Sequence, residues 1–245
     1  MTRSHRGHPV LRVVSLVPSV TETLLALGVR PVACTRFCEQ PELDHVGGTK
    51  NPDVDAIAAL APDVVVVNDE ENRIEDVDRL RELGVALHDM SPRSVADVGP
   101  AVCRLAEAVG AGTPDPFPDW DRWLAGWRAR RPPVARPVFV PVWRRPWMSM
   151  AGDTFGSSLL DLLGWDNVFA EAASRYPEVT LEDAAGHRPE VVLLPSEPYE
   201  FKERHVAEVT TAVPGARVLL VDGHDLFWWG IRTPGAVERL ASILA

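Results

Sequence analysis

Residues 11–34 read Leu-Arg-Val-Val-Ser-Leu-Val-Pro-Ser-Val-Thr-Glu-Thr-Leu-Leu-Ala-Leu-Gly-Val-Arg-Pro-Val-Ala-Cys. Leu11 to Val17 is too apolar for a strand with one wet face and reads as a strand buried on both. Ser19-Val-Thr-Glu22 has the spacing of a capping box, with Ser19 capping and Glu22 reaching back. A short helix follows to Leu27, and Gly28 closes it in the left-handed conformation that needs no Cβ. Pro31 to Cys34 is a second strand. Strand, helix, glycine and strand make a parallel βαβ unit, and that unit sets the fold class.

Working outward, the same grammar recurs. Pro52 opens a helix over Val54–Ala61. Val64–Val67, four valines, is a strand buried on both faces. Glu71–Leu83 is an amphipathic helix with Ile74, Val77 and Leu80 inward, and Gly84 caps it. A strand at Val85–Leu87 precedes a helix over Ser94–Val109 in which Pro100 predicts a kink or break. Gly110–Pro118 is a loop of breakers. Trp120, Trp123 and Trp127 then recur at helical spacing up to Arg131. Beyond Pro132-Pro133 come a strand at Val138–Val142, a helix at Thr154–Leu163 closed by Gly164, and a capping box at Thr180–Asp183. A strand at Val191–Leu194, a helix at Lys202–Thr211, a strand at Arg217–Val221 and a helix at Gly235–Leu244 complete the chain.

A weak internal repeat pairs the halves. Ala61-Pro-Asp-Val-Val-Val-Val-Asn-Asp-Glu70 resembles Arg188-Pro-Glu-Val-Val-Leu-Leu-Pro-Ser-Glu197. The expectation is α/β architecture with two Rossmann-like lobes built on parallel sheets. Residues 1–111 and 134–245 form the lobes, and 112–133 is a single linking helix.

The chain has 245 residues, 46% of them apolar, and a net charge of −10, which argues against nucleic acid and anionic membrane surfaces as partners. No segment approaches the roughly 20 apolar residues of a membrane span. Met1–Pro9 is basic without an apolar core, so no secretory signal is read and a cytoplasmic monomer is expected. Three cysteines make no disulfide framework. Cys34 and Cys38 could pair or hold a metal, or be two ordinary thiols after a strand.

In open parallel sheets, ligands sit beyond the carboxyl ends of strands. The densest such segment is Trp143-Arg-Arg-Pro-Trp147. Aromatics and guanidiniums together at a strand end suit a flat, polar-edged ligand, because a guanidinium stacks on rings and forks onto carboxylates. Trp143, Trp147 and one of Trp228 and Trp229 are expected to stack, the other tryptophan of that pair being core. Arg144, Arg145 and Arg232 would pair with the ligand's anionic or amide oxygens. Arg36, Arg73, Asp153 and Glu197 stand in the remaining strand-end segments and join the candidate set. His224 is the one histidine in such a segment and a weak candidate for an axial metal ligand. No spacing of catalytic zinc, no Walker loop and no Gly-x-Ser-x-Gly is present, so no catalytic residue is assigned.

Arg12-Val-Val-Ser-Leu-Val-Pro-Ser-Val-Thr-Glu22, Gly47-Gly-Thr-Lys50, Ala61-Pro-Asp-Val-Val66 and Gly152-Asp-Thr-Phe155 together resemble the helical-backbone metal receptors. These are the class III substrate-binding proteins of iron-siderophore and cobalamin ABC importers. Thr35-Arg-Phe-Cys38, Glu70-Glu-Asn-Arg73, Trp143-Arg-Arg-Pro-Trp147, Arg175-Tyr-Pro-Glu-Val179 and Ser196-Glu-Pro198 resemble a branch labelled cobalamin-binding-like. The resemblance implies a ligand cleft between two lobes and a corrinoid or other metal chelate as ligand, with no intrinsic cofactor. It also implies an extracytoplasmic location and an ABC permease partner, which Glu70 and Glu71 would dock. The alternative is a cytosolic enzyme, carrier or sensor that acts on a related cofactor with the same scaffold.

Overall fold

The computed structural model describes residues 11–112, 117 and 119–245. Met1–Pro9 and much of the breaker loop before Trp120 lie outside the described residues. The chain divides into two units, residues 1–91 with 101–115 and residues 92–100 with 116–245.

The first unit carries a five-stranded, all-parallel sheet in the order β3-β2-β1-β4-β5. The strands are β1 (Val13–Ser15), β2 (Ala33–Cys34), β3 (Asp44–His45), β4 (Val64–Val67) and β5 (Leu87–Asp89). Helices α1 (Pro18–Ala26), α2 (Val54–Ala59) and α3 (Ile74–Glu82) connect them. Val14, Leu16, Val65, Val67, Ile57 and Leu80 form its core, which is why the valine run admits no polar residue. Helix α4 (Val95–Ala108) gives its first residues to the second unit and the rest to the first.

The second unit has four parallel strands in the order β7-β6-β8-β9. They are β6 (Arg136–Phe139), β7 (Trp165–Asn167), β8 (Val191–Pro195) and β9 (Arg217–Val221), joined through α6 (Phe155–Leu162), α7 (Leu181–Gly186) and α8 (Glu203–Ala212). Helix α5 (Trp120–Arg130) precedes them, and α9 (Gly223–Phe227) and α10 (Thr233–Leu244) follow. The Thr180 capping box forms as expected, Thr180 Oγ1 accepting from Asp183 N at 3.0 Å while Asp183 Oδ2 accepts from Thr180 N at 3.1 Å.

Several local expectations are corrected. Pro18 occupies the first turn of α1 and Val17 its N-cap, with no side-chain cap, so Ser19 is a buried helical residue. Asp53, not Pro52, opens α2, its Oδ1 accepting from Ala56 N. Pro100 sits inside α4 without ending it, on the exposed side of the helix, where the loss of its N–H leaves the Ala96 carbonyl without an intrahelical i+4 donor. Ile74 is 60% exposed, and α3 buries only Val77 and Leu80 of the predicted stripe.

His205 is buried at the third position of α8, where its Nδ1 accepts the Lys202 N–H at 2.9 Å. Burial holds its proton affinity below the ordinary histidine range, helped by Arg204, Arg144 and Lys202 and opposed by Glu208. The folded chain therefore keeps it neutral, while the unfolded chain takes up a proton below about pH 6.5. Its contribution to stability is present above that pH and lost as pH falls through it. His205→Gln keeps an acceptor for the same N–H, so the slope of melting temperature against pH between about 7.5 and 5.5 should flatten in that variant. An unchanged slope would exclude this role.

Candidate functional site

At the carboxyl end of the first sheet, two buried asparagines organise the loops. Asn68, just past β4, accepts the N–H groups of Glu70 and Glu71 on Oδ1 at 2.8 and 2.9 Å and donates to Met90 O at 3.0 Å. Asn72 accepts from Asn68 N at 2.9 Å and donates to Leu16 O and Thr49 O at 3.2 and 3.0 Å. One side-chain pair thus ties the ends of β1, β4 and β5 to the Gly47–Lys50 loop.

This corrects the reading of Glu71 as the first residue of a helix, since α3 begins at Ile74. Glu70 and Glu71 lie in a turn before α3 whose N–H groups Asn68 already satisfies. Lys50 Nζ donates to the Glu70 carbonyl. Burial pushes the Glu71 carboxyl up from the usual range, against the pull of Lys50 and Thr49. Arg73 is explained locally, because its exposed guanidinium is held by Asp76 at 2.9 and 3.2 Å. Arg36 is exposed beyond β2, 4.8 Å over the Phe37 ring.

The second unit collects the rest of the predicted set at the carboxyl ends of its strands. After β6 the chain makes a narrow loop, closed by the backbone bridge between Trp143 and Met148. Trp143 stands at its rim, 43% exposed, with the Tyr199 ring edge-on at 5.6 Å. Trp147 is half-buried and stacked parallel on Phe201 at 5.8 Å. Arg144 is engaged by Glu208 at 2.9 and 3.1 Å, which holds its proton even more firmly than usual. Arg145 is exposed at the turn with φ 72°. Of Trp-Arg-Arg-Pro-Trp, therefore, Trp143 and Arg145 face solvent, and Arg144 and Trp147 build the support behind them.

Past β9, Asp222 Oδ1 accepts from the His224 N–H at 3.0 Å and lies 2.7 Å from His224 Nδ1. His224 Nε2 points to Glu197 beyond β8, at 3.7 Å. The Asp222 carboxyl is held below the usual range by the His224 bonds, which outweigh its burial. The ring of His224 meets Trp228 edge to face at 4.4 Å, and Arg232 lies over the Trp228 ring at 5.3 Å. Asp225, buried, anchors Arg239 at 2.6 and 2.7 Å and Arg232 at 3.4 Å. Trp229 is 5% exposed and belongs to the core, while Trp228 beside it is half-buried.

Asp153 is held by Arg175 at 3.0 Å, from a segment whose backbone pairs with Ser149 and Ala151. Thr154 caps α6, its Oγ1 accepting from Ser157 N at 3.3 Å. Residues missed from the sequence are Asn68, Tyr199, Asp222, Asp225 and Asn167. Asn167 is buried at the end of β7 and donates to Met150 O at 2.7 Å and Ser157 Oγ at 2.8 Å. For Asn68 and Asp222 the signal was position, a polar residue directly after an apolar strand.

Two surface hollows of about 190 and 420 Å³ lie at the opposite, amino ends of the strands, beside Arg136 and Trp165 in one unit and Arg12 and Val32 in the other. Their arginines are spoken for, Arg136 by Glu190, Arg131 by Asp161 and Arg12 by the Leu60 carbonyl. No described helix is long and apolar enough to cross a membrane.

Residues 13–113 match the model of the Peripla_BP_2 family, described as periplasmic binding protein. A vitamin B12-binding protein of Vibrio parahaemolyticus is 26% identical over 199 residues, 76% of this chain and 71% of that protein. The crystal structure of the periplasmic vitamin B12 binding protein BtuF of Vibrio cholerae superposes with a TM-score of 0.78 at 22% identity, covering 96% of this chain and 97% of that one. The periplasmic heme binding protein HutB of Vibrio cholerae gives 0.75 at 21% identity, with 96% and 98% covered. Residues 13–113 are thus similar to the periplasmic binding proteins, and the chain has the fold of these solved structures, two parallel-sheet α/β lobes.

Proposed function

We propose that this chain is the non-catalytic substrate-binding component of an ABC-type uptake system, and that its ligand is a planar metal chelate, a corrinoid first and a heme-like tetrapyrrole next. The observation that carries the reading is Trp143. A tryptophan 43% exposed at the rim of a strand-end loop forgoes about 2 kcal/mol of burial that a core position would give. Its neighbours Trp147, Phe201 and Tyr199 hold that rim rigid without covering it. Arg145 beside it and Arg232 over Trp228 supply cations for the carboxylates or amide oxygens at the edge of such a ring. The relatives named vitamin B12-binding and heme-binding point to the same ligand chemistry.

Glu70 and Glu71 fit the permease-docking role. They stand on a turn that Asn68 and Asn72 tie to its neighbours, with the Glu70 carbonyl also accepting from Lys50. Native mass spectrometry of the purified chain, alone and after addition of cobalamin, cobinamide, heme or a ferric siderophore, tests the ligand class. One added or retained tetrapyrrole per chain is expected. Binding of none of the four would end the metal-chelate reading, and an added mass that changes with time would mark an enzyme.

A further inference from the structure

Beyond the second unit's aromatic wall, one group of reactive side chains in the first unit has no part in the function above. Cys34 ends β2, and Cys38 follows after a tight turn closed by Cys38 N–H to Thr35 O at 3.1 Å. Both side chains are buried, 0% and 2% exposed, and with Leu43 they make a cluster apart from the unit's main core. The turn folds Cys38 back into the same small buried cluster as Cys34. The hydroxyl oxygens of Thr21 and Thr35 each lie 3.2 Å from Cys38 Sγ.

A thiol that only fills space needs no such shell. The Thr35 hydroxyl and that of Thr21, whose one hydrogen the Val17 carbonyl shares at 3.2 Å, can turn toward this sulfur, an arrangement that suits a sulfur carrying negative charge. The bond from Cys34, with Thr21 and Thr35 behind it, holds the Cys38 thiol below the ordinary thiol range despite its burial, and the same contact pushes Cys34 up. Among the described residues no cluster of three or more His, Cys, Asp or Glu side chains could hold a metal, so a tetrahedral site is not the use of this pair.

We propose that Cys34 and Cys38 are a redox-active dithiol that a small hydroperoxide closes to an intramolecular disulfide, pinning the turn that carries Arg36 and Phe37. Hydrogen peroxide is small enough to reach a buried sulfur where a bulky disulfide oxidant is not. The Cys38 thiolate attacks one peroxide oxygen. An S–O bond forms, the O–O bond breaks, and hydroxide leaves and takes up the proton that Cys38 had released. Cys34 sulfur then attacks Cys38 sulfur, the S–O bond breaks, and the Cys34 proton departs with that oxygen as water. Two thiols lose two electrons in all, and one peroxide becomes two waters. The product is uncharged, which suits its apolar surroundings better than a thiolate does.

The test uses the full chain with the exposed third cysteine replaced, Cys103→Ser. The reduced protein is treated with stoichiometric hydrogen peroxide, quenched in acid, denatured and labelled with N-ethylmaleimide. Labelling should fall from two adducts per chain to none, with a mass loss of two hydrogens and one cross-linked peptide holding Cys34 and Cys38. Dithiothreitol should restore both labels. In the further variant Cys34→Ser, dimedone should trap Cys38 as its sulfenic acid, a species the parent consumes. If Cys34→Ser does not fold, the parent's peptide map decides alone. Full labelling of both cysteines after peroxide, or oxygen added to Cys38 while Cys34 stays labelled, would overturn the proposal. Neither result bears on tetrapyrrole binding.

Discussion

Asn72→Ala is expected to destabilise the first unit by about 3 kcal/mol, at roughly 1 kcal/mol for each hydrogen bond lost from a buried partner. The three groups left behind are the Asn68 N–H, the Leu16 carbonyl and the Thr49 carbonyl, all served by one side chain that is 5% exposed. No neighbour can replace it, because Asn68 spends its own amide on Met90 and its oxygen on Glu70 and Glu71. For a unit of this size, that loss corresponds to a fall of roughly 10–15 °C in melting temperature. Asn72→Asp separates the components. It keeps an acceptor for Asn68 N–H but offers two carbonyls a carboxylate, so it should be at least as damaging. Calorimetry on both variants measures this, and a shift under about 3 °C for Asn72→Ala would mean that water or backbone movement takes over the three bonds.

The same residue shows where sequence reading reached its limit. The alternation of apolar runs with helices and terminating glycines fixes a parallel α/β fold, because only a strand covered on both faces tolerates Val64–Val67 or Val191–Leu194. The rule that ligands gather at carboxyl strand ends then brought out Trp143, Arg145, Trp228 and Arg232 together. What stayed hidden was pairing. Nothing in Trp-Arg-Arg-Pro-Trp tells which arginine meets Glu208, 64 residues on, or which tryptophan lies on Phe201. Arg73 stands in a strand-end segment, yet its partner is Asp76, three residues on. Asn68, Asn72 and Asn167 read as loop residues, since an asparagine after a strand is as common in an exposed turn as in a buried tie. Cys34 and Cys38 were legible as a spacing, while their burial and the two threonine hydroxyls around Cys38 came only from the folded turn.

Trp143→Ala with Arg145→Ala is expected to weaken binding of the bound tetrapyrrole by roughly 100-fold, and either change alone by about 10-fold, as one ring stack or one guanidinium contact is removed. Both side chains are exposed, so their loss takes nothing from the core and the melting temperature should stay within about 2 °C of the parent. Asp225→Asn acts at one remove. It removes the negative charge that Asp225 sets against Arg232 and Arg239 while leaving Arg232 and Trp228 in the chain, so affinity should fall about 10-fold with some loss of stability. Arg122→Ala, on an 88% exposed side chain of α5, is the neutral comparison. Titration of each variant by quenching of tryptophan fluorescence gives the affinities. If the double variant binds as tightly as the parent, the ligand does not rest on the β6 loop, and the exposure of Trp143 needs another explanation. If the double variant fails while Asp225→Asn binds normally, the β6 loop alone makes the wall and Arg232 is not part of it.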